Sequence, residues 1–207
     1  MSDYQITTFT NGNLQQNCYV VVNNLQEALI IDPGSKPEAI SNLLDDLKVI
    51  PIAILNTHAH YDHIGAVSTL LQKYSMPFFL HKDDAKLLKQ ANIYKIMFGS
   101  KDSIPIPSFG EDLADIKKKQ VLLGFKIQAI HTPGHTGGSV CLLIGDQLFS
   151  GDTLLPWGAG RTDLPGGDSQ KLKDSLEILR RLPDRYLVYP GHGKPFTLEE
   201  FWNRNDL

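Results

Sequence analysis

Along the chain the apolar positions change period, and each change predicts an element. Residues 4–10 and 17–22 are rich in β-branched and aromatic side chains and are separated by Asn11-Gly12-Asn13, which predicts two paired strands. Ala28-Leu29-Ile30-Ile31 reads as a third strand, stopped by the turn Asp32-Pro33-Gly34, which can also present Asp32 toward a site. Ile40, Leu43, Leu44 and Leu47 then recur at i, i+3, i+4 and i+7, predicting a helix with Ser35 as cap and Pro37 in its first turn. The apolar run 51–55 returns to strand, Gly65–Leu71 to helix and Pro77–Leu80 to strand. Asp83–Ile96 has helical composition, whereas Ile104-Pro105-Ile106-Pro107-Ser108 predicts a surface excursion.

The second half repeats the alternation. Strands are expected over 125–130, 139–144 and 147–150, with a turn at Gly145-Asp146. Leu172, Leu176, Leu179 and Leu182 mark one face of a helix over 168–182, and Arg185–Tyr189 forms a last strand before Pro190-Gly191-His192-Gly193. Strand and helix alternating in this way specify a layered α/β fold. At 207 residues the chain has the length of one domain, expected over 1–207, and only the fifteen residues after His192 are left for one short helix rather than a separate C-terminal helical domain.

Composition changes this picture little. A hydrophobic share of 42%, a charged share of 21% and a formal charge of −3 describe an ordinary folded chain without the electrostatic footprint of a nucleic-acid binder. Lys117-Lys118-Lys119 reads as a solvated turn or helix face. No basic leader and no long apolar span occurs, which predicts a cytoplasmic protein without membrane partners. Cys18 and Cys141 sit in apolar stretches and are expected as reduced core thiols.

The chemistry concentrates in Thr57-His58-Ala59-His60-Tyr61-Asp62-His63, four metal-ligand side chains within six residues at the end of a predicted strand. Imidazole and carboxylate suit borderline first-row metals such as zinc, iron and manganese. Three further residues stand at predicted strand ends among Gly and Pro: His135, Asp152 and His192. Small neighbours let the backbone approach a ligand closely there. Together with the first motif they make seven ligands, enough for two metals if one carboxylate bridges.

These stretches, with Thr132-Pro133-Gly134-His135-Thr136, Gly151-Asp152-Thr153 and Gly191-His192-Gly193 in this order, resemble the metallo-β-lactamase superfamily and, within it, the short glyoxalase II-like hydrolases. The resemblance implies a four-layer αβ/βα sandwich with metals at one edge between two sheets. It places His58, His60 and His135 on one metal, Asp62, His63 and His192 on the other, and Asp152 between them. Asp32 is implied as an outer residue orienting a ligand, Asp62 and Asp152 as catalytic, and Trp157 and Arg161 as substrate contacts. His81 and His131 fall outside the pattern and are read as structural or surface residues.

The implied cofactors are two divalent ions, zinc in the first place, with iron or manganese as alternatives. The implied reaction is hydrolysis of a small-molecule thioester, S-lactoylglutathione or a related acyl-thiol, by a hydroxide bridging the metals. Two alternatives accompany it: a mononuclear-iron persulfide dioxygenase of the same superfamily, and a non-catalytic metal-binding protein. The β-lactamase branch usually substitutes a second-metal ligand, so the intact Asp62-His63 pair argues against β-lactamase activity. The acyl group, the carrier thiol and the oligomeric state stay open.

Overall fold

A computed structural model describes residues 4–118, 122 and 124–205. The lysine run at 117–119 reaches outside the described residues. β1 (Gln5–Asn11), β2 (Gln16–Val22) and β3 (Glu27–Ile31) form an antiparallel meander, followed by α1 (Pro37–Leu47) and β4 (Ile50–Leu55). Next come α2 (Tyr61–Ile64), α3 (Val67–Lys73), β5 (Phe78–Leu80), a 3-10 turn at Lys82–Asp84, α4 (Ala85–Met97) and β6 (Glu111–Asp112). The second half runs β7 (Ile127–His131), β8 (Val140–Ile144), β9 (Gln147–Gly151), β10 (Leu154–Leu155), β11 (Gly158–Ala159) and α5 (Ser169–Leu179). It finishes with β12 (Leu187–Pro190), β13 (Phe196–Thr197) and α6 (Leu198–Arg204).

One sheet has the order β1-β2-β3-β4-β5-β6 and the other β13-β12-β9-β8-β7. Alternation along β2 shows how they stack. Tyr19 and Val21 join Leu29, Leu55 and Phe79 against Leu142, Ile144 and Phe149 of the second sheet. Cys18, Val20 and Val22 face the other way, toward Ile40 and Leu44 of α1, Leu70 of α3 and Leu88 of α4. Beyond the second sheet, Cys141, Leu148 and Val188 pack on Leu172 and Leu176 of α5 and Phe201 of α6. Helices, sheet, sheet, helices: this is the four-layer αβ/βα sandwich, and both sheets read as nearly unbroken apolar runs because both faces of each are covered. Cys18 and Cys141 lie on different sheets as free, buried thiols, each facing the helices that cover its sheet.

Two local expectations are corrected. Ser35 does not cap α1, because the chain enters the helix through Lys36 in the left-handed region and the Ser35 hydroxyl donates to Asn11 Oδ1 instead; Pro37 does occupy the first turn. The strand ending at Pro190 is not the last, since Phe196–Thr197 returns antiparallel to it. The helix expected over 65–71 is α3, preceded by the separate short α2 inside the motif, and Ile104 and Ile106 of the surface excursion pack against the helix-side core. Among the described residues, no helix is long and apolar enough to cross a membrane.

Candidate metal centre

Every predicted ligand lies beyond the end of a strand, and strand pairing decides which ones meet. β3 and β4 run parallel with Ile31 opposite Leu55, so Asp32 and Thr57 emerge side by side. Asp32 Oδ1 accepts from Thr57 N at 2.7 Å and Oδ2 from Thr57 Oγ1 at 2.6 Å. β9 and β12 are also parallel, with Gly151 opposite Pro190, which brings out Asp152 beside His192. The two halves are then tied across the sandwich, by Val140 N donating to Thr57 O at 2.9 Å and Asn17 N donating to Gly191 O at 2.8 Å.

The donor atoms fall into two groups. His60 Nδ1 lies 3.1 Å from His58 Nε2 and 3.0 Å from His135 Nε2, with the three rings nearly perpendicular to one another. In the second group Asp62 Oδ2 lies 3.7 Å from His63 Nε2 and 3.3 Å from His192 Nε2. Asp152 stands between them: Oδ1 is 3.5 Å from His63 Nε2, and Oδ2 is 3.6 Å from both His192 Nε2 and His135 Nε2. All seven sequence-predicted ligands are therefore brought together.

The outer ring nitrogens fix which atoms point inward. His135 Nδ1–H donates to Arg161 O at 2.8 Å and His192 Nδ1–H to Leu14 O at 3.0 Å, carbonyls that can only accept. His63 Nδ1–H donates to Asp32 Oδ2 at 3.0 Å. Thr57 Oγ1, whose proton goes to Asp32, accepts from His58 Nδ1 at 3.1 Å. In these four rings Nε2 is thus left to face the centre, whereas His60 presents Nδ1. Gly191 is obligatory at this point, because a Cβ there would run into Asp152 Oδ1 and His63 Cε1.

The electrostatics divide the same way. Burial, with His63 and His60 nearby, holds the His58 imidazole neutral well below its ordinary range, and burial with the facing His135 pulls His60 down to about 3. Burial also works against a charge on His63, but Asp152, Asp62 and Asp32 outweigh it and push His63 up to about 10. Desolvation opposes the charge on Asp62, yet His63 and His192 hold its carboxylate below the usual range. His63 Nε2 and Asp152 Oδ1 are buried with no hydrogen-bond partner. Unpaired buried atoms of this kind cost free energy, and a divalent cation is the partner this all-nitrogen-and-oxygen donor set fits. Asp32, His58 and His63 also come within ligand distance of one another, but on the outer side, where Asp32 already accepts the three hydrogen bonds described.

A cleft of about 600 Å³ opens onto the centre and includes Trp157, Arg161, Tyr61 and Phe98 in its wall. Trp157 is 67% exposed. The Arg161 guanidinium, implied above as a substrate contact, is held by Asp163 through Nε–Oδ1 and Nη2–Oδ2 bonds of 2.7 and 2.6 Å. The contribution of Arg161 that its residue type does not announce is its backbone carbonyl, which orients His135. His81 and His131 stack face to face, centroids 4.0 Å apart, and His131 Nε2 bonds Gly137 O. With Asp83 they too offer three ligand atoms, but parallel rings do not converge on a point as the splayed rings of the main centre do.

Asp84 was not foreseen. It begins α4 yet makes no capping bond. Its buried carboxylate accepts from Ala59 N at 2.9 Å, Thr136 Oγ1 at 2.9 Å and Gly138 N at 2.7 Å, joining the His58–His60 loop to the His135 loop. An acid at a helix start is so ordinary that the sequence carries no distinguishing signal for this role.

Comparison with known proteins agrees with this geometry. Residues 11–192 match the Metallo-beta-lactamase superfamily. The probable metallo-hydrolase YqgX of Bacillus subtilis is 35% identical over 186 residues, covering 88% of this chain and 87% of that protein. BLEG-1, a B3 metallo-beta-lactamase, superposes with a TM-score of 0.88 at 36% identity, covering 98% of each chain. TTHA1623 in a di-iron-bound form gives 0.82 at 36% identity, covering 97% of this chain and 98% of that one. With the fold, the ordered ligand motifs and the sequence match in accord, this chain belongs to the metallo-β-lactamase superfamily and is a metal-dependent hydrolase of that group.

Proposed function

We propose that this chain is a dinuclear thioester hydrolase of glyoxalase II type, carried on a single domain. The observation that carries it is Asp152, whose carboxylate lies within 3.6 Å of ligand nitrogens from both groups. His58, His60 and His135 would hold one ion and Asp62, His63 and His192 the other, with Asp152 shared. The donor set lacks thiolate and suits zinc, with iron or manganese as alternatives; the di-iron TTHA1623 supports two-metal loading. When bound, two divalent ions supply a water of lowered pKa as nucleophile and positive charge for the developing oxyanion.

The chain's own residues do the rest. Asp62, at the cleft floor, orients the attacking water and accepts its hydrogen bond. Attack at that carbon breaks the C–S bond, the electron pair leaves on sulfur, and water's oxygen ends in the product carboxylate. Outside the ligands, the ionisable groups of the cleft wall are Tyr61, Tyr94 and Arg161, and burial beside Asp62 raises the Tyr61 phenol further. Such a wall is poorly supplied with an acid for an amine or alkoxide leaving group, and a thiolate needs none. Buried reduced thiols at Cys18 and Cys141 support action in the cytoplasm.

The test is thiol release from a thioester panel by protein loaded with two metals per chain, with His58→Ala as control. Release lost in the variant is expected; equal rates for both proteins, or no release at all, overturn the reading. A second reading, β-lactam hydrolysis, is favoured by BLEG-1, so a chromogenic cephalosporin belongs in the panel. Elemental analysis of the active protein distinguishes zinc from iron and manganese. Metal-dependent stabilisation without any turnover would leave a binding protein.

A further inference from the structure

We infer that the substrate presents an apolar group to this centre rather than an anionic carrier, so that glutathione is not the preferred thiol. The inference rests on the thioesterase reading and deepens it. Around the ligands, the cleft wall is built by Leu14, Tyr94, Phe98, Leu155, Trp157 and Leu164. Trp157, Phe98 and Leu14 are 67%, 53% and 51% exposed, a cost in water that an apolar ligand repays by covering them.

Charge in the cleft argues the same way. Glutathione carries two carboxylates, and apart from the metal-ligand residues the cleft wall offers one cation, Arg161. Asp163 occupies the Nε/Nη2 edge of that guanidinium with a bidentate pair, a geometry a substrate carboxylate would otherwise take. A carboxylate entering here meets an arginine that Asp163 already holds. The neighbouring hollow across Tyr61 and Phe98 contains Lys36 and Lys95, but the Lys95 ammonium is bound to Ser100 Oγ at 2.8 Å and Asp102 O at 2.7 Å.

The experiment compares kcat/KM for butanoyl, hexanoyl and octanoyl thioesters of N-acetylcysteamine with S-lactoylglutathione, on the metal-loaded full chain. Each methylene that reaches the wall is expected to raise kcat/KM about fourfold, as burial of apolar area predicts. Trp157→Ala and Phe98→Ala should flatten that dependence while kcat for the shortest acyl chain changes less. Asp163→Ala, which releases the guanidinium, should improve S-lactoylglutathione selectively, by lowering KM. Turnover of thioesters with no chain-length dependence and with S-lactoylglutathione preferred overturns this inference and leaves the thioesterase reading standing. Failure to cleave any thioester overturns that reading itself.

Discussion

Replacing Asp32 by Asn separates orientation of a ligand from construction of the fold. Asp32 sits at φ 50°, a conformation Asn tolerates, so the backbone should hold where Ala would strain it. The new side chain keeps one oxygen, which continues to accept from Thr57 N. Its amide nitrogen replaces the oxygen that received Thr57 Oγ1 at 2.6 Å and His63 Nδ1 at 3.0 Å. A hydroxyl can turn and accept from the amide, but the imidazole can oblige only by moving its proton from Nδ1 to Nε2. Nε2 is the atom 3.7 Å from Asp62 Oδ2 and 3.5 Å from Asp152 Oδ1, and a proton there removes the lone pair that a metal needs. Losing such an outer-shell partner weakens metal binding about 10–100-fold, or about 1.4–2.8 kcal/mol. Titrating the apo protein with zinc against a chromophoric chelator resolves the two binding steps. The step assigned to Asp62, His63 and His192 should weaken by that factor while the step assigned to His58, His60 and His135 changes little, with circular dichroism unaltered. Unchanged affinity at both steps would refute the orienting role, and loss of both together with loss of structure would make Asp32 a folding residue instead.

Asp84→Ala leaves the backbone donors of Ala59 and Gly138 without their acceptor, while the Thr136 hydroxyl can turn to Ser139 Oγ; at about 1–3 kcal/mol for each buried unpaired group, urea unfolding should show a loss of at least about 2 kcal/mol. Chelation should lower the thermal midpoint, and metal returned at a hundredfold excess over its Kd should restore about 2.7 kcal/mol by linkage, read by calorimetry; a midpoint indifferent to metal would contradict the donor assignment. Burial pushes the Cys18 thiol far up and Cys141 to about 11. Both folded pKa values are raised, so the native state keeps protons that the unfolded chain loses: stability is full below about pH 9, near the free thiol value, and falls above it by about 1.4 kcal/mol per pH unit for each thiol. Urea melts at pH 8, 9 and 10 should show that decline, and the Cys18→Ala/Cys141→Ala protein should show a shallower one.

What the sequence made legible follows from where each signal resides. β2, β3 and β4 were readable because two-sided burial leaves continuous apolar runs, and the ligands because histidine density has no ordinary turn explanation. Ladders of two residues, β6, β10, β11 and β13, have no period to read. Ser35 misled because the preference for a hydroxyl at a helix start is local, while Lys36 turning left-handed and Asn11 offering an acceptor are tertiary facts. Arg161 shows the same limit for charge: a cation reads as a substrate grip until its neighbour two positions on is seen to hold it.

Asp32 and Asp84 sharpen the distinction, since both are buried carboxylates that work only by accepting hydrogen bonds. Asp32 stood out because Pro33-Gly34 marks a strand end, and strand ends are where parallel sheets gather function. Asp84 heads a helix, the commonest place for an acid, and nothing nearby distinguishes it. Its partners lie 25, 52 and 54 residues away. Ligands that bind a cation must be of rare types and can be found by type; residues that hold those ligands need only an acceptor in the right place, and that place is set by pairing between distant strands. The ligand motifs are therefore legible by residue type, whereas Asp84 and the paired Arg161–Asp163 are features of the packed chain.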